Sequence, residues 1–314
     1  MERGRLERFR KRRNATAICV LALLAAVPPG ERTSAAPAGT LDRIRETGRL
    51  RLGYPTQSRP FAYRDASGNG QGYSIALCQR IADAVRDDLQ SARLTVEWVP
   101  VDVTARFRAV QDGAIDLLCG GDTATLERRR DVSFSIPIFP GGIGALLRSD
   151  APVRLRDVLE GRGQTFRPTW RAAATRLLEA RAFSAVAGTT SENWLEERID
   201  DLHIATTPSM VASYDAGVQA LLARRTDAFF GERAILLDAA RQASERDLVV
   251  LPRLFTYEPL ALTLPRDDER FRLLVDSALS RFYGSGELGA LYTKWFGEPD
   301  QSAITFFKWS MLPR

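Results

Sequence analysis

The stretch Ile115–Ser135, IDLLCGGDTATLERRRDVSFS, gives the clearest indication of the fold in this sequence. It begins as an apolar run and reaches Gly120-Gly121, as a buried strand does where it ends at a cleft. Three residues that can cap a following helix come next: Asp122, Thr123 and Thr125. The pattern therefore predicts a strand, a glycine turn and then the N-terminus of a helix.

Arg128 would lie about one turn into that helix. Free backbone N–H groups, the Thr123 hydroxyl and the Arg128 guanidinium would then converge on one point, which is an arrangement that binds carboxylates. The alternative is that Arg128–Arg130 is only a charged face in contact with solvent. This stretch alone leaves both interpretations open.

The N-terminus has the pattern of a secretory signal peptide. Seven basic residues up to Arg13 precede the apolar segment Ala15–Val27, which is too short for a membrane span of about 20 residues. Ala36-Pro37-Ala38 offers a cleavage site, so residues 1–38 are predicted to be a signal peptide and the mature protein to be exported. The net charge of +5 lies mostly in this leader, so we expect no nucleic-acid partner.

Two cysteines remain after the leader, Cys78 in a predicted helix and Cys119 at the end of a predicted strand. A disulfide and a pair of buried free thiols are both compatible with an oxidising compartment. The single histidine, His203, has no cluster of cysteines beside it, so neither a metal site nor another cofactor is predicted.

Strands alternate with helices along the chain, which indicates an α/β fold with a largely parallel sheet. Apolar residues recur at helical spacing over Tyr73–Leu89, and short apolar runs predict strands before and after it. A segment rich in Pro and Gly after Phe134 and the strand Ala261–Leu264 are predicted to be two crossings between domains. Arg162–Ala182 carries many arginines and is interpreted as a surface insertion.

The second half of the chain contains the same pattern of a strand, a glycine turn and a helix N-terminus. The predicted strand Phe183–Val186 leads into Gly188-Thr189-Thr190, a glycine turn before a capped helix. Leu202–Thr206 is predicted to be a further strand. Another apolar strand, Thr226–Phe230, delivers Glu232 towards a cleft, where a carboxylate can hold an ammonium group. The simpler alternative is that Glu232 only caps the helix that follows.

Several separated stretches resemble the bacterial periplasmic amino-acid-binding proteins of the family 3 extracellular solute-binding class. These are Ile115–Ser135 together with AVAGTTSE (185–192), RTDAFFGERAIL (225–236), GSGELGALYTKWFG (284–297), LDRIRETGRLRLGYP (41–55) and GYSIALCQRIADAV (72–85). They occur in the family's order and cover nearly all of the mature chain. The resemblance is strongest to the glutamate/aspartate-binding and glutamine-binding branches.

The resemblance implies the two-domain α/β fold of a type II periplasmic binding protein, with two crossing hinge strands that let the domains close on a ligand. Domain 1 would be discontinuous, comprising residues 39–139 and 262–314. Domain 2 would comprise residues 140–261. The insertion around 162–180 is the only large departure in length.

The family's binding positions carry over residue by residue. Gly121, Thr123 and Arg128 match positions that bind the α-carboxylate and α-amino groups of the ligand. Thr189 and, on a weaker match, Thr190 correspond to the turn of the second domain that closes on the carboxylate. Three further residues match the ammonium partner and two positions near the ligand side chain: Glu232, Arg106 and Tyr214. Glu232 stands where the family usually has Asp, and Arg59 lies at least one position away from the family's ligand-facing residue in the first loop.

The resemblance implies a binding protein that captures an amino acid, with a polar or acidic one favoured, and delivers it to the membrane permease of an ABC importer. It further implies a monomer that is not an enzyme. The alternative is a prephenate or arogenate dehydratase on the same scaffold, for which Glu232 or Asp122 would supply general-acid chemistry.

Overall fold

A computed structural model describes residues 39–162, 175–243 and 247–313. The predicted signal peptide, 1–38, lies outside the described residues, as does most of the predicted insertion at 162–180. Residues 175–179 are helical. No helix in the described ranges is long and apolar enough to cross a membrane.

The first sheet has the strand order β5–β1–β6–β14–β7, and β8 pairs with β14 beside this path. Strands β1, β5 and β6 are parallel, whereas β14 is antiparallel to its neighbours. The strands are β1 (Arg49–Pro55), β5 (Thr95–Val101), β6 (Leu117–Thr123), β7 (Ser133–Phe134), β8 (Phe139–Gly141) and β14 (Glu258–Leu264). Apolar side chains of this lobe, among them Leu50, Leu52 and Leu117, are fully buried.

The second sheet has the order β11–β10–β12–β9–β13. Its strands are β9 (Ile143–Arg148), β10 (Phe183–Val186), β11 (Ser209–Val211), β12 (Ala228–Glu232) and β13 (Leu248–Val250). Strand β10 runs parallel to β11 and β12, and β9 is antiparallel to β12 and β13. A smaller sheet of β2 (Gln57–Ser58), β3 (Ala62–Arg64) and β4 (Gly70–Gln71) follows β1.

The chain crosses between the two main sheets twice, as a type II periplasmic binding protein does. The first crossing is short, from Gly141 at the end of β8 to Ile143 at the start of β9. The second lies between β13 and β14. The predicted boundary at residues 261 and 262 falls inside β14, whose strand pairs all belong to the first sheet. The exact domain boundaries stay a prediction.

Helices cover both sheets, and the longer ones follow the predicted apolar periodicity. The helices are Thr40–Thr47, Tyr73–Asp88, Arg106–Gln111, Val153–Glu160, Thr190–Asp201, Tyr214–Leu222, Arg233–Gln242, Glu269–Gly284, Glu287–Phe296 and Gln301–Ser310. In Tyr73–Asp88 the predicted stripe is the buried face, and Cys78 on that face forms a disulfide with Cys119 of β6. The two Cα atoms lie 6.1 Å apart, and closing the 41-residue separation restricts the unfolded chain, which is worth about 4 kcal/mol.

Two predicted elements are wrong. No helix starts at Thr123, because β6 continues through this residue and pairs with Leu260 of β14, so the sheet holds the backbone extended. The chain turns later, in a short 3-10 helix at Arg128–Arg130, where the Thr125 hydroxyl accepts a hydrogen bond from the Arg128 N–H at 3.1 Å. Leu202–Thr206 is not a strand, because the preceding helix extends through Asp201, and β11 forms further on.

Candidate functional site

A cleft lies where the two sheets face each other at the crossings. All eight residues predicted to bind the ligand line this cleft: Arg106, Gly121, Thr123, Arg128, Thr189, Thr190, Tyr214 and Glu232. The structure thus brings them together from both lobes, and their binding roles stay a prediction. Asp122 and Glu258 line the same cleft and had not been predicted to bind ligand.

Strand β6 delivers Gly121, Asp122 and Thr123 to the floor of the cleft. At Gly121 the backbone passes so close to the Phe61 ring that a Cβ atom would lie 2.8 Å from its Cγ. A larger residue would therefore push the strand or the ring aside. The glycine lets β6 reach the cleft, so that the residues after it meet the other lobe.

Arg106 and Asp122 form an ion pair at one side of the cleft. Arg106 Nε donates to Asp122 Oδ1 at 2.6 Å, and both side chains are 6% exposed. The remaining Arg106 nitrogens donate to backbone carbonyls, Nη1 to Val103 and Nη2 to Gly188 at 3.4 Å. Each nitrogen of this guanidinium thus has an acceptor within the protein. Asp122 neutralises the charge.

Arg128 faces the same cleft with different partners. Its Nη1 donates to the Thr123 carbonyl at 2.9 Å and its Nη2 reaches the Gly188 carbonyl of the other lobe at 3.5 Å. No carboxylate oxygen of a described residue lies within ion-pair distance of it. Burial, with Arg106 nearby, lowers the pKa of Arg128 below its ordinary value, although an arginine stays charged at neutral pH. Arg128 is therefore a cation not neutralised by an ion pair.

The second lobe contributes the turn at Gly188 and the helix Thr190–Asp201. Gly188 has a φ of +73°, which favours glycine, and Thr189 is the residue that precedes the helix. Thr189 Oγ1 donates to the Val186 carbonyl at 2.6 Å and so does not cap the helix. The predicted helix N-terminus at this turn is confirmed. Its first N–H groups give partial positive charge to the cleft.

Glu258, the first residue of β14, places a carboxylate between the lobes. Its Oε2 accepts hydrogen bonds from Thr123 Oγ1 at 2.7 Å and from Thr190 Oγ1 at 2.8 Å. Its Oε1 accepts from Thr256 Oγ1 at 2.7 Å. The two threonine hydroxyls, one from each lobe, are 3.5 Å apart, so the lobes are closed on each other at this point.

Glu232 ends β12 and begins the helix Arg233–Gln242. Its Oε1 accepts from the Ala234 N–H at 3.1 Å, so the capping role is present, and its Oε2 accepts from the Gly142 N–H of the first crossing at 2.9 Å. Burial raises the pKa of Glu232 to about 7. Tyr214 is buried beside it, and its hydroxyl oxygen accepts from the Glu232 N–H at 3.2 Å. Glu232 is therefore both a helix cap and part of the cleft.

Two charged residues of the cleft could not be identified from local patterns. Glu258 stood before Pro259 in a predicted crossing, where an exposed acidic residue is ordinary. The available signal was its position three residues before the apolar strand predicted to be a crossing. In the sequence Asp122 is a candidate helix cap and general acid, and its partner Arg106 is 16 residues away. Pairing over that separation depends on the fold.

In the part of the chain that the structure describes, no group of three or more His, Cys, Asp or Glu side chains could hold a metal ion. The cleft instead combines two guanidinium groups, three carboxyl groups and hydroxyls from both lobes. Such a set can bind a small molecule that carries both charges, with a carboxylate towards Arg128 and a cation towards the carboxyl groups.

Residues 50–298 match the family model described as bacterial extracellular solute-binding proteins, family 3. The L-glutamate/L-aspartate-binding protein of Pseudomonas aeruginosa is 30% identical to this chain over 287 residues, which is 91% of this chain and 87% of that protein. The glutamate/aspartate import solute-binding protein of Escherichia coli is 27% identical over 291 residues, covering 92% of this chain and 89% of its own.

Among solved structures, similarity extends to an ancestral amino-acid-binding protein described as a precursor of cyclohexadienyl dehydratase. The two share 24% identity with a TM-score of 0.66, over 82% of this chain and all of the other. At that identity the likeness shows the fold alone. It agrees with the two sheets, the two crossings and the cleft between them.

Proposed function

This chain belongs to family 3 of the bacterial extracellular solute-binding proteins, and we propose that it captures one amino acid in the cleft between its lobes. The observation that carries the proposal is Arg128, a partly buried guanidinium that faces the cleft and finds, in the part of the chain that the structure describes, carbonyl acceptors and no carboxylate partner. A guanidinium in this position binds a carboxylate strongly because the charge is shielded from water. The α-carboxylate of the ligand supplies the missing anion.

The α-ammonium group is held by the carboxyl groups on the opposite side, Glu232 and Glu258. The longer side chain of Glu232, compared with the family's usual Asp, is tied to two backbone N–H groups. The described donors to Glu258 are all hydroxyls, and a hydroxyl can rotate to donate elsewhere. Glu258 is therefore well suited to accept the ammonium group, with Glu232 behind it.

Closure of the two lobes couples ligand capture to transport. Thr123 and Thr190 approach from opposite lobes, so a ligand that hydrogen-bonds to both hydroxyls stabilises the closed form. We propose that residues 1–38 direct export, that the mature protein works in the periplasm as a monomer, and that the closed form delivers its amino acid to the permease of an ABC importer. The names of the relatives from Pseudomonas aeruginosa and Escherichia coli support an amino acid with a polar or acidic side chain.

Binding without chemical turnover is part of the proposal. The dehydratase alternative needs a carboxylic acid that gives its proton to a leaving group. Glu232, whose pKa burial raises to about 7, is the candidate for that role. Both of its oxygens accept backbone N–H groups, which suits an anion that attracts a cation more than an acid that donates a proton. Incubation with prephenate and arogenate should therefore yield no aromatic product.

A thermal-unfolding screen over the standard amino acids tests the proposed function. A ligand at 100 times its Kd stabilises the native protein by about 2.7 kcal/mol, which is a clear rise in Tm. At least one amino acid should raise Tm in proportion to the logarithm of its concentration. A primary amine and a simple carboxylic acid, each with one of the two charges, serve as controls and should have little effect. No rise with any amino acid would contradict the proposal.

A further inference from the structure

The ion pair between Arg106 and Asp122 affects which ligand side chains the cleft can accept. Arg106 matches the arginine that faces the ligand side chain in the acidic-amino-acid branch of the family. Here its Nε is 2.6 Å from Asp122 Oδ1, and Nη1 and Nη2 donate to carbonyls. A ligand carboxylate that approached Arg106 would have to compete with a buried carboxylate already bound to it. Arg106 is thus not a free cation for an acidic side chain.

The second oxygen of Asp122 has no hydrogen-bond partner among the described residues. Asp122 is 5% exposed and lines the cleft, and Oδ2 is the oxygen that does not contact Arg106. A buried carboxylate oxygen without a donor is unfavourable until a donor reaches it. Oδ2 and Pro55 both lie beside Gly120, and Pro55 lines the cleft together with Arg106, so a ligand side chain that reaches this end of the cleft meets the unsatisfied acceptor. A ligand group that carries N–H bonds would satisfy it.

The remaining charges of the cleft are matched by the α-groups of an amino acid. Arg128 lacks a carboxylate and takes the α-carboxylate, while Glu232 and Glu258 face the α-ammonium. With Arg128 bound to the α-carboxylate, a second ligand carboxylate would meet Asp122 and an Arg106 that is already paired. Like charges in a site shielded from water repel strongly, so this contact disfavours acidic ligands.

We propose that the cleft selects an amino acid whose side chain donates hydrogen bonds, with the uncharged amides glutamine and asparagine as the reference ligands, over one that ends in a carboxylate. Asp122 is the residue that sets this preference, by neutralising Arg106 and by offering Oδ2 to the side-chain N–H groups. This inference rests on the proposed function. It limits the expected ligands, which had polar or acidic side chains, to amino acids whose polar side chain donates hydrogen bonds.

Calorimetric titration of the purified mature protein with glutamine, glutamate, asparagine and aspartate tests the inference. Each amide has nearly the shape of its acid, so the ratio of the two Kd values reports the side-chain charge and little else. Glutamine should bind at least tenfold more tightly than glutamate, or asparagine than aspartate. A ratio of one, or tighter binding of the acid, would overturn the inference.

The variant Asp122→Asn tests the residue assignment. It removes the negative charge, releases Arg106 for a ligand carboxylate, and should reduce the preference for the amide at least tenfold. Asp112→Asn is the matched control, because Asp112 also pairs with an arginine, Arg108 at 3.1 Å, but lies exposed on the surface. It should keep the wild-type ratio. An unchanged ratio in a folded Asp122→Asn protein would overturn the role of Asp122.

The outcomes separate the two proposals. If no amino acid binds to the wild-type protein, the proposed function fails. If amino acids bind but the acids bind as tightly as the amides, the proposed function stands and the selectivity inference fails. The wild-type ratio needs no variant, so it remains decisive even if Asp122→Asn does not fold.

Discussion

Arg106 and Arg128 face one cleft, and both guanidinium groups lie over the Phe107 ring, at 4.3 and 4.7 Å from its centroid. Arg106 is bound to the buried carboxylate of Asp122. Among the described residues, the hydrogen-bond acceptors of the Arg128 guanidinium are carbonyl oxygens. Arg106 is thus part of the protein's own charge balance, whereas Arg128 is left to be balanced by a ligand. The number of arginines in a cleft therefore does not give the number of anions that it binds.

Removing the unpaired arginine, Arg128, should have the largest effect on ligand binding. In Arg128→Ala the α-carboxylate would enter a shielded site without its cation, which costs about 2–5 kcal/mol, or roughly 30-fold to several thousandfold in Kd. Isothermal titration with the amino acid found in the screen measures this loss. Arg130→Ala, two residues on in the same 3-10 turn and exposed, is the control and should leave Kd unchanged.

The carboxylate opposite Arg128 provides the next prediction. Glu258→Gln keeps the shape and removes the charge, so the ligand ammonium loses a charged hydrogen bond worth about 1.5–3 kcal/mol. Kd should rise roughly 10- to 100-fold. The exposed Glu287→Gln is the control for the substitution itself. Equal affinity of the Glu258→Gln and wild-type proteins would show that Glu232 alone holds the ammonium.

The pKa of Glu232, which burial raises to about 7, predicts a smaller effect that depends on pH. Below pH 7 the group is mostly protonated and neutral, so the form that attracts an ammonium is the minor one. Apparent affinity scales with the fraction of competent protein, so Kd should be about tenfold weaker at pH 6 than its limiting value above pH 7. Titrations at pH 6, 7 and 8 measure the profile. In Glu232→Gln the profile should be flat over this range.

The smallest effect concerns an ion pair between the lobes outside the cleft. Arg59 Nε donates to Asp238 Oδ2 at 2.9 Å, so the first-loop arginine contacts the helix Arg233–Gln242. Because Arg59 is 42% exposed, the pair is worth no more than about 1 kcal/mol. Arg59→Ala should raise the Kd of every amino acid that binds by a similar factor, less than about fivefold. Arg80→Ala breaks a surface ion pair within the first lobe and should leave Kd unchanged.

The fold was predicted well where one periodicity dominates. The buried face of Tyr73–Asp88 and the strand after Gly113 follow directly from the spacing of their apolar residues. The helix predicted at Thr123 is wrong because antiparallel pairing with β14, more than 130 residues away in sequence, keeps β6 extended. Local capping residues could not reveal that competition.

The residues that line the site were predicted, whereas their ion pairs and hydrogen bonds were predicted only in part. The resemblance supplied eight residues that the structure places around one cleft. Two of the acids that set its charge, Asp122 and Glu258, act through contacts with residues that are distant in sequence. Which arginine is neutralised depends on those contacts. Motif matching predicted that both Arg106 and Arg128 contact the ligand, and it did not reveal that Asp122 pairs with Arg106.

The central claim is that Arg128 binds the α-carboxylate of the ligand, and a double-mutant cycle between protein and ligand tests it directly. The wild-type and Arg128→Ala proteins are each titrated with the bound amino acid and with its α-carboxamide, which lacks the negative charge. We expect a coupling free energy of at least about 2 kcal/mol, because either change alone removes the same contact. Additive effects, with a coupling near zero, would contradict it.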